Sequence, residues 1–204
     1  MIGIVNYGVG NVRALHNIYV RLGIDAEIVS SVEDLRRASR FILPGVGAFD
    51  WTMTHLEQSG LRAPLTERVM GDQCPVLGIC VGMQMLGRRS DEGRLPGLGW
   101  IDADVRRFDV STFAQRTHLP HMGWNDVQPL GEAPLFEGLR EAARFYFLHS
   151  YYVAPDHETD VLAVTDYNGA FASGVQHGHI VGVQFHPEKS HHWGVRLLQN
   201  FAGL

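Results

Sequence analysis

Short runs of β-branched and aliphatic residues alternate with helix-period segments through the first ninety positions of the chain. Ile2–Val5 reads as a strand, Asn11–Leu22 as a helix closed by Gly23, and Ala26–Val29 as a second strand. Ser31–Ala38 reads as a helix with Ser31 and Asp34 spaced for a capping box. Phe41–Leu43 is a third strand, expected to stop at Pro44-Gly45. A long helical region then runs to Val69, with interruptions at Gly60 and Pro64. Val76–Ile79 is the next strand, and Val81–Leu86 opens a helix directly behind it. Strand–helix–strand alternation of this kind predicts a largely parallel sheet with helices on both faces.

After Gly87 the period changes. Trp100–Phe108, Trp124–Gln128, Phe145–Val153, Val161–Thr165, Ala170–Gln176 and Ile180–Phe185 read as strands joined by short polar turns, which predicts antiparallel additions to the sheet. A last helix is expected from about Trp193 to Phe201. With no repeat, linker or low-complexity stretch, residues 1–204 form a single α/β domain.

Composition narrows the function classes. The 204 residues are 45% hydrophobic and 19% charged with a formal net charge of -5, an ordinary globular balance. No Lys/Arg run supports a nucleic-acid partner. No segment reads as a membrane span or a signal peptide. The two cysteines, Cys74 and Cys80, are separated by an extended strand of about 20 Å, too far for a disulfide, and this suits a reducing cytoplasm.

The chemistry centres on Gly78-Ile79-Cys80-Val81-Gly82, where a strand turns sharply into a helix with a thiol at the apex. Unpaired N–H groups at the helix start favour thiolate over thiol and are suited to an oxyanion. A cysteine there could instead be a buried structural thiol. Downstream, Gln184-Phe185-His186-Pro187-Glu188 supplies a base and, two residues on, a carboxylate to orient it. A metal site at His186, His191 and His192 lacks a completing ligand set, so no metal or other cofactor is expected. Asn6-Tyr7-Gly8-Val9-Gly10 imitates a phosphate loop without its third glycine.

These motifs resemble the class I (triad) glutamine amidotransferases. More narrowly, the chain is similar over nearly its whole length to the glutaminase subunits of imidazole glycerol phosphate synthases. Asn6-Tyr7-Gly8-x-Gly10-Asn11, Leu43-Pro44-Gly45-Val46-Gly47-Ala48-Phe49, Pro120-His121-Met122-Gly123-Trp124-Asn125 and Phe145-Tyr146-Phe147-x-His149-Ser150-Tyr151 carry the likeness further.

The resemblance implies a three-layer, flavodoxin-like domain in which Cys80, His186 and Glu188 hydrolyse L-glutamine to glutamate and ammonia. It implies an oxyanion strand at Gly45, Val46 and Gly47, where a peptide flip could complete the hole, with Val81, Gln84, His149, Ser150 and Tyr151 around the substrate. It also implies a heterodimer with a (β/α)8-barrel cyclase, which uses the ammonia to make imidazole glycerol phosphate and AICAR in histidine biosynthesis. Asn11, Trp124, Tyr146 and Lys189 match positions at that interface and ammonia passage. Any of these last four could equally be surface or core residues.

Residues 89–100 and 189–194 look more like a paralogous branch, in which the ammonia goes to a nucleotide-activated sugar for surface polysaccharide. Two further readings are a non-catalytic docking subunit, opposed by the intact Cys80, His186 and Glu188, and a related cysteine hydrolase such as a γ-glutamyl peptidase.

Overall fold

The computed structural model describes residues 1–112, 118–139 and 143–204. In chain order the strands and helices are β1 (Ile2–Val5), α1 (Val12–Leu22), β2 (Ala26–Val29), α2 (Val32–Arg37), β3 (Arg40–Gly45), α3 (Phe49–Gln58) and α4 (Arg62–Thr66). They continue with β4 (Val76–Cys80), α5 (Val81–Met85), β5 (Arg89–Ser90), β6 (Ala103–Arg107), β7 (His121–Asp126), β8 (Gln128–Pro129), β9 (Arg144–His149) and β10 (Tyr151–Pro155). The last are β11 (Val161–Asp166), β12 (Ala170–His177), β13 (Ile180–Val183) and α6 (His191–Gly203).

The main sheet runs β2-β1-β3-β4-β13-β12-β10-β6-β5. From β2 to β13 every pairing is parallel, and from β13 to β6 every pairing is antiparallel. Strand β11 adds to β12, and β8 to β11. Every residue of β1, β4 and β13 is buried, as expected for parallel strands covered on both faces. The architecture is a three-layer α/β domain. The Tyr19 hydroxyl ties α1 to α6 by donating to the Leu198 carbonyl at 3.0 Å.

Local signals hold where they act over a few residues. The Ser31 hydroxyl accepts from the Asp34 N–H, and the Asp34 carboxylate accepts from the Ser31 N–H. Gly23 closes α1 with a φ of 66°, a conformation that a side chain would penalise.

Two proline expectations are corrected. Strand β3 continues through Pro44 to Gly45, opposite Ile79 and Cys80. The Phe41 N–H points to the β4 side, to the Pro75 carbonyl, so by alternation the Pro44 nitrogen points to the β1 side. There pairing with β1 has already ended at Ile42, and no ladder bond is lost. Pro64 does not interrupt a helix either, because it lies in the first turn of α4, where its missing N–H has no intrahelical partner. The break falls at Gly60, with a φ of 71°.

Five further elements differ. The expected strand Trp100–Phe108 forms only over Ala103–Arg107, and Trp124–Gln128 is split between β7 and β8. The regular strand in the last run stops at Val183, and α6 begins at His191. Most consequentially, Phe145–Val153 is two strands. Strand β9 pairs with β7 in a separate two-stranded ribbon, whereas β10 enters the main sheet between β6 and β12. The chain changes sheets at Ser150. Among the described residues, no helix is long and apolar enough to cross a membrane.

Candidate active site

Cys80 ends β4 and starts α5 with φ 56° and ψ -114°, a strained state for a residue with a side chain. The surroundings hold it there. A Cβ on Gly82 would overlap the Leu43 carbonyl oxygen, one on Gly45 would overlap the Gly82 nitrogen, and one on Gly78 would lie 2.7 Å from the Gly82 oxygen. These backbones approach closely only because the side chains are missing.

The neighbouring loop is fixed by the segment that imitates a phosphate loop. The Tyr7 hydroxyl donates to the Pro44 carbonyl at 2.5 Å, and Gly10 packs against the Pro44 ring. Asn6 to Asn11 therefore supports the Pro44–Gly47 turn. The buried Thr52 hydroxyl is shared between the Ala48 carbonyl at 2.9 Å and the Val46 carbonyl at 3.2 Å. In a trans peptide the Gly47 N–H then points to the opposite side.

Behind the sulfur stand His186 and Glu188. The His186 Nδ1–H donates to Glu188 Oε1 at 2.9 Å, with both side chains almost fully buried. This leaves Nε2 free of Glu188, and His186 lines the same cavity as Cys80. Burial alone would lower the His186 pKa, but the hydrogen bonds and charges of Cys80 and Glu188 outweigh it and hold it up at about 10. The direction of the shift favours the protonated imidazole.

A cavity of about 500 Å³ opens over Cys80. Val46, Gly47, Cys80, Val81, Gln84, His149, Ser150, Tyr151, His186 and Lys189 all line it. Of the remaining expected residues, Gly45 lies beneath the turn, paired with Cys80, and Glu188 sits behind His186. Gln84 is buried, with its amide hydrogen-bonded to Tyr151 and Gln184. Asn11 is exposed at the start of α1 and makes no capping bond. Trp124, Tyr146 and Lys189 gather at the rim, with the Trp124 and Tyr146 rings 5.1 Å apart and the Lys189 ammonium 5.5 Å from the Tyr146 ring centre.

The sequence reading missed Glu92, Pro120 and Leu148, which also line the cavity. Glu92 belongs to residues 89–100, a segment strapped across the start of α3. There the Glu92 carboxylate accepts from the Phe49 N–H at 2.8 Å, and Asp50 accepts from the Arg94 and Leu95 N–H groups. The Asp-Glu-Gly sequence was the available signal, because a Cβ on Gly93 would overlap the Asp50 carboxylate. Among the described residues, no three His, Cys, Asp or Glu side chains converge as a metal would require.

A family model described as glutamine amidotransferase class-I matches residues 3–203. The chain is 49% identical to an imidazole glycerol phosphate synthase subunit HisH of Bdellovibrio bacteriovorus, with all of both chains covered. It is 48% identical, again over all of both chains, to a subunit designated HisH 2 in Pseudomonas aeruginosa. A crystal structure of a glutamine amidotransferase shares the fold, with a TM-score of 0.75 at 23% identity, over 100% of this chain and 99% of that one. With nearly its full length matched by that family, the chain belongs to the class I glutamine amidotransferases and is an enzyme of that type.

Proposed function

We propose that Cys80 attacks the side-chain amide of L-glutamine and that His186 and Glu188 complete its triad. The observation that carries this is a sulfur held by a strained turn on a cavity wall, with a buried His186–Glu188 pair behind it. In the attack, Cys80 Sγ bonds to the amide carbon and the carbonyl oxygen takes the charge. The Gly47 and Val81 N–H groups are the candidate donors to that oxygen. His186 then gives its Nε2 proton to the amide nitrogen, the C–N bond breaks, and ammonia leaves a γ-glutamyl thioester. A water loses a proton to His186 and attacks the thioester, releasing glutamate and the thiolate. Glu188 holds the imidazole in one tautomer throughout. At the far side of the cavity, Glu92 suits the α-ammonium, and backbone at Ser150 and Tyr151 suits the α-carboxylate.

The ammonia goes to a (β/α)8-barrel cyclase that docks beside the cavity mouth in a cytoplasmic heterodimer. There it is consumed in making imidazole glycerol phosphate and AICAR for histidine biosynthesis. The names of the relatives support this, as does the apolar outer face of the β7–β9 ribbon, where Met122, Trp124 and Leu148 are exposed. A second reading, amidation of a nucleotide-activated sugar, is favoured by residues 89–100 and 189–194.

The test is a glutaminase assay with and without the histidine-pathway cyclase of the same genome, its nucleotide substrate present. Strong stimulation is expected. Cys80→Ala should lose glutamine-dependent turnover by about 10³-fold or more, while the complex still makes product from added ammonia. Loss of both activities would mean that Cys80 holds the fold or the interface, and the mechanism would fall. Stimulation only by a second barrel paralogue would keep the triad and move the pathway.

A further inference from the structure

Gln184, two residues before His186, also reaches Cys80. Past the end of β13 at Val183 the chain bends at Gln184 and Phe185 before it reaches His186. Phe185 enters the aromatic core, 4.0 Å from the Phe145 ring centre. Gln184 is fully buried, and its Nε2 lies 3.7 Å from Cys80 Sγ, within hydrogen-bond reach of a sulfur.

Which end of that amide faces the sulfur follows from its partners rather than from atom labels. The Tyr151 carbonyl can only accept, and Gln84 Nε2 donates to it at 3.3 Å. The same nitrogen donates to Gln184 Oε1 at 3.1 Å. The oxygen of Gln184 is therefore committed to Gln84, and its NH2 is the end turned to Cys80. A rotated amide would set oxygen against an electron-rich sulfur and one NH2 against another.

A second branch leaves the same carbonyl. His149 Nδ1 donates to it at 2.7 Å, so His149 Nε2 accepts, and His121 Nδ1–H lies 3.0 Å from it. His121 Nε2 in turn accepts from Asn125 at 3.2 Å, and Asn125 is oriented by the Asp166 carbonyl and the Asp126 N–H. One carbonyl thus sets the sense of every hydrogen bond from the β7–β9 ribbon to the sulfur.

We propose that Gln184 is a catalytic residue of this enzyme, whose amide N–H donates to Cys80 Sγ and stabilises negative charge on it, with Gln84 as the positioning residue that keeps the amide so turned. The proposal rests on the reading of Cys80 as nucleophile. The two neighbours of the sulfur then divide the work. His186 gains and loses a proton during turnover, whereas the amide of Gln184 has none to give up and donates at every stage at which the sulfur carries charge.

A plainer role would be to satisfy Gln84 in the core and nothing more. The two differ in what reaches the sulfur, so the full-length chain in a Cys74→Ser background is alkylated with iodoacetamide across a pH series, with and without glutamine. Gln184→Met, of similar volume but without a donor, is expected to slow alkylation of Cys80 about ten-fold near neutral pH and to displace its pH profile upward. Its kcat falls by a similar factor with KM for glutamine little changed. Gln184→Glu, equal in shape but offering only acceptors when ionised, falls further. Gln84→Met, which frees the amide to rotate, gives a smaller loss.

A folded Gln184→Met protein with the parent's alkylation profile overturns the proposal. Should Gln184→Met not fold, Gln184→Asn, one methylene too short to reach, decides by the same measurement, and a parent-like profile there is equally fatal. If glutamine fails to protect Cys80 in the parent chain, it is the nucleophile reading that falls, which the variants do not touch.

Discussion

The two halves of the molecule meet at one cavity and hold it by opposite means. The parallel half, residues 2–86, contributes backbone. Its turn at Cys80 exists because Gly45, Gly78 and Gly82 leave no atom in the way. The antiparallel half contributes side chains, and His149, Gln184, His186 and Glu188 are held by hydrogen bonds to one another and to carbonyls. At its turn, one half cannot accept an added atom. The other cannot lose a polar one.

An added carbon in the first half should have the largest effect. In Gly82→Ala the new Cβ overlaps a carbonyl oxygen of β3, which is locked between β1 and β4, so urea unfolding should show a loss of about 3 kcal/mol or more, or no folding at all. Gly71→Ala, whose nearest neighbour would be the Glu67 side chain at 3.9 Å, should stay within about 0.5 kcal/mol of the parent. Equal behaviour of the two would break the comparison.

In the second half, loss of a charge should spare the fold and damage the chemistry. Glu188→Gln keeps the shape but removes the carboxylate that helps hold the His186 pKa up. We expect kcat to fall by about 10²- to 10⁴-fold, with the pKa of His186 moving down from its raised value. A pH–rate profile with the parent's limbs would show that Glu188 does not act through His186.

The smallest effect concerns pH. Burial pushes His121 down to about 4. It also pushes His149 down to about 3, with the nearby His121 and His186 adding to the fall and the Tyr151 carbonyl opposing it. Unfolded, each would protonate near 6.5. Between those values the unfolded chain binds more protons at these two sites than the folded one, so their contribution to stability is fully present above about pH 6.5 and declines as the pH falls toward 4. The aspartates with lowered pKa, Asp34, Asp104, Asp109 and Asp156, act only below their ordinary range and leave that window to the histidines. The urea midpoint should fall across it, and less steeply in His149→Leu. Imidazole signals of His121 and His149 that titrate near their ordinary value would contradict this.

Much of the first half could be read from neighbouring residues, since a capping box, a glycine terminator and a Gly-x-Cys-x-Gly turn each act within a few positions. Pro44 misled because its effect depends on which side of the strand its nitrogen faces, and that depends on where β1 ends. The run Phe145–Val153 misled for a related reason. Its pattern is unbroken, and nothing local tells that its two ends pair with different strands. In the site, Cys80, His186, Glu188 and eight further cavity-lining residues lie in motifs legible in the sequence. Glu92 was not, because it reaches the cavity only through a strap that Asp50 holds.

The amino-acid sequence by itself determined the backbone states of consecutive residues: the parallel half, the turn at Cys80, and the His186–Glu188 spacing that sets a carboxylate beside an imidazole. Only the tertiary structure decided that the chain changes sheets at Ser150, that Glu92 enters the cavity, and that the Tyr151 carbonyl orients two hydrogen-bond chains. Short-range sterics and alternation act along the chain and are written into its order. The sense of a hydrogen bond between Gln84 and Gln184, a hundred residues apart, depends on which donors and acceptors folding brings together.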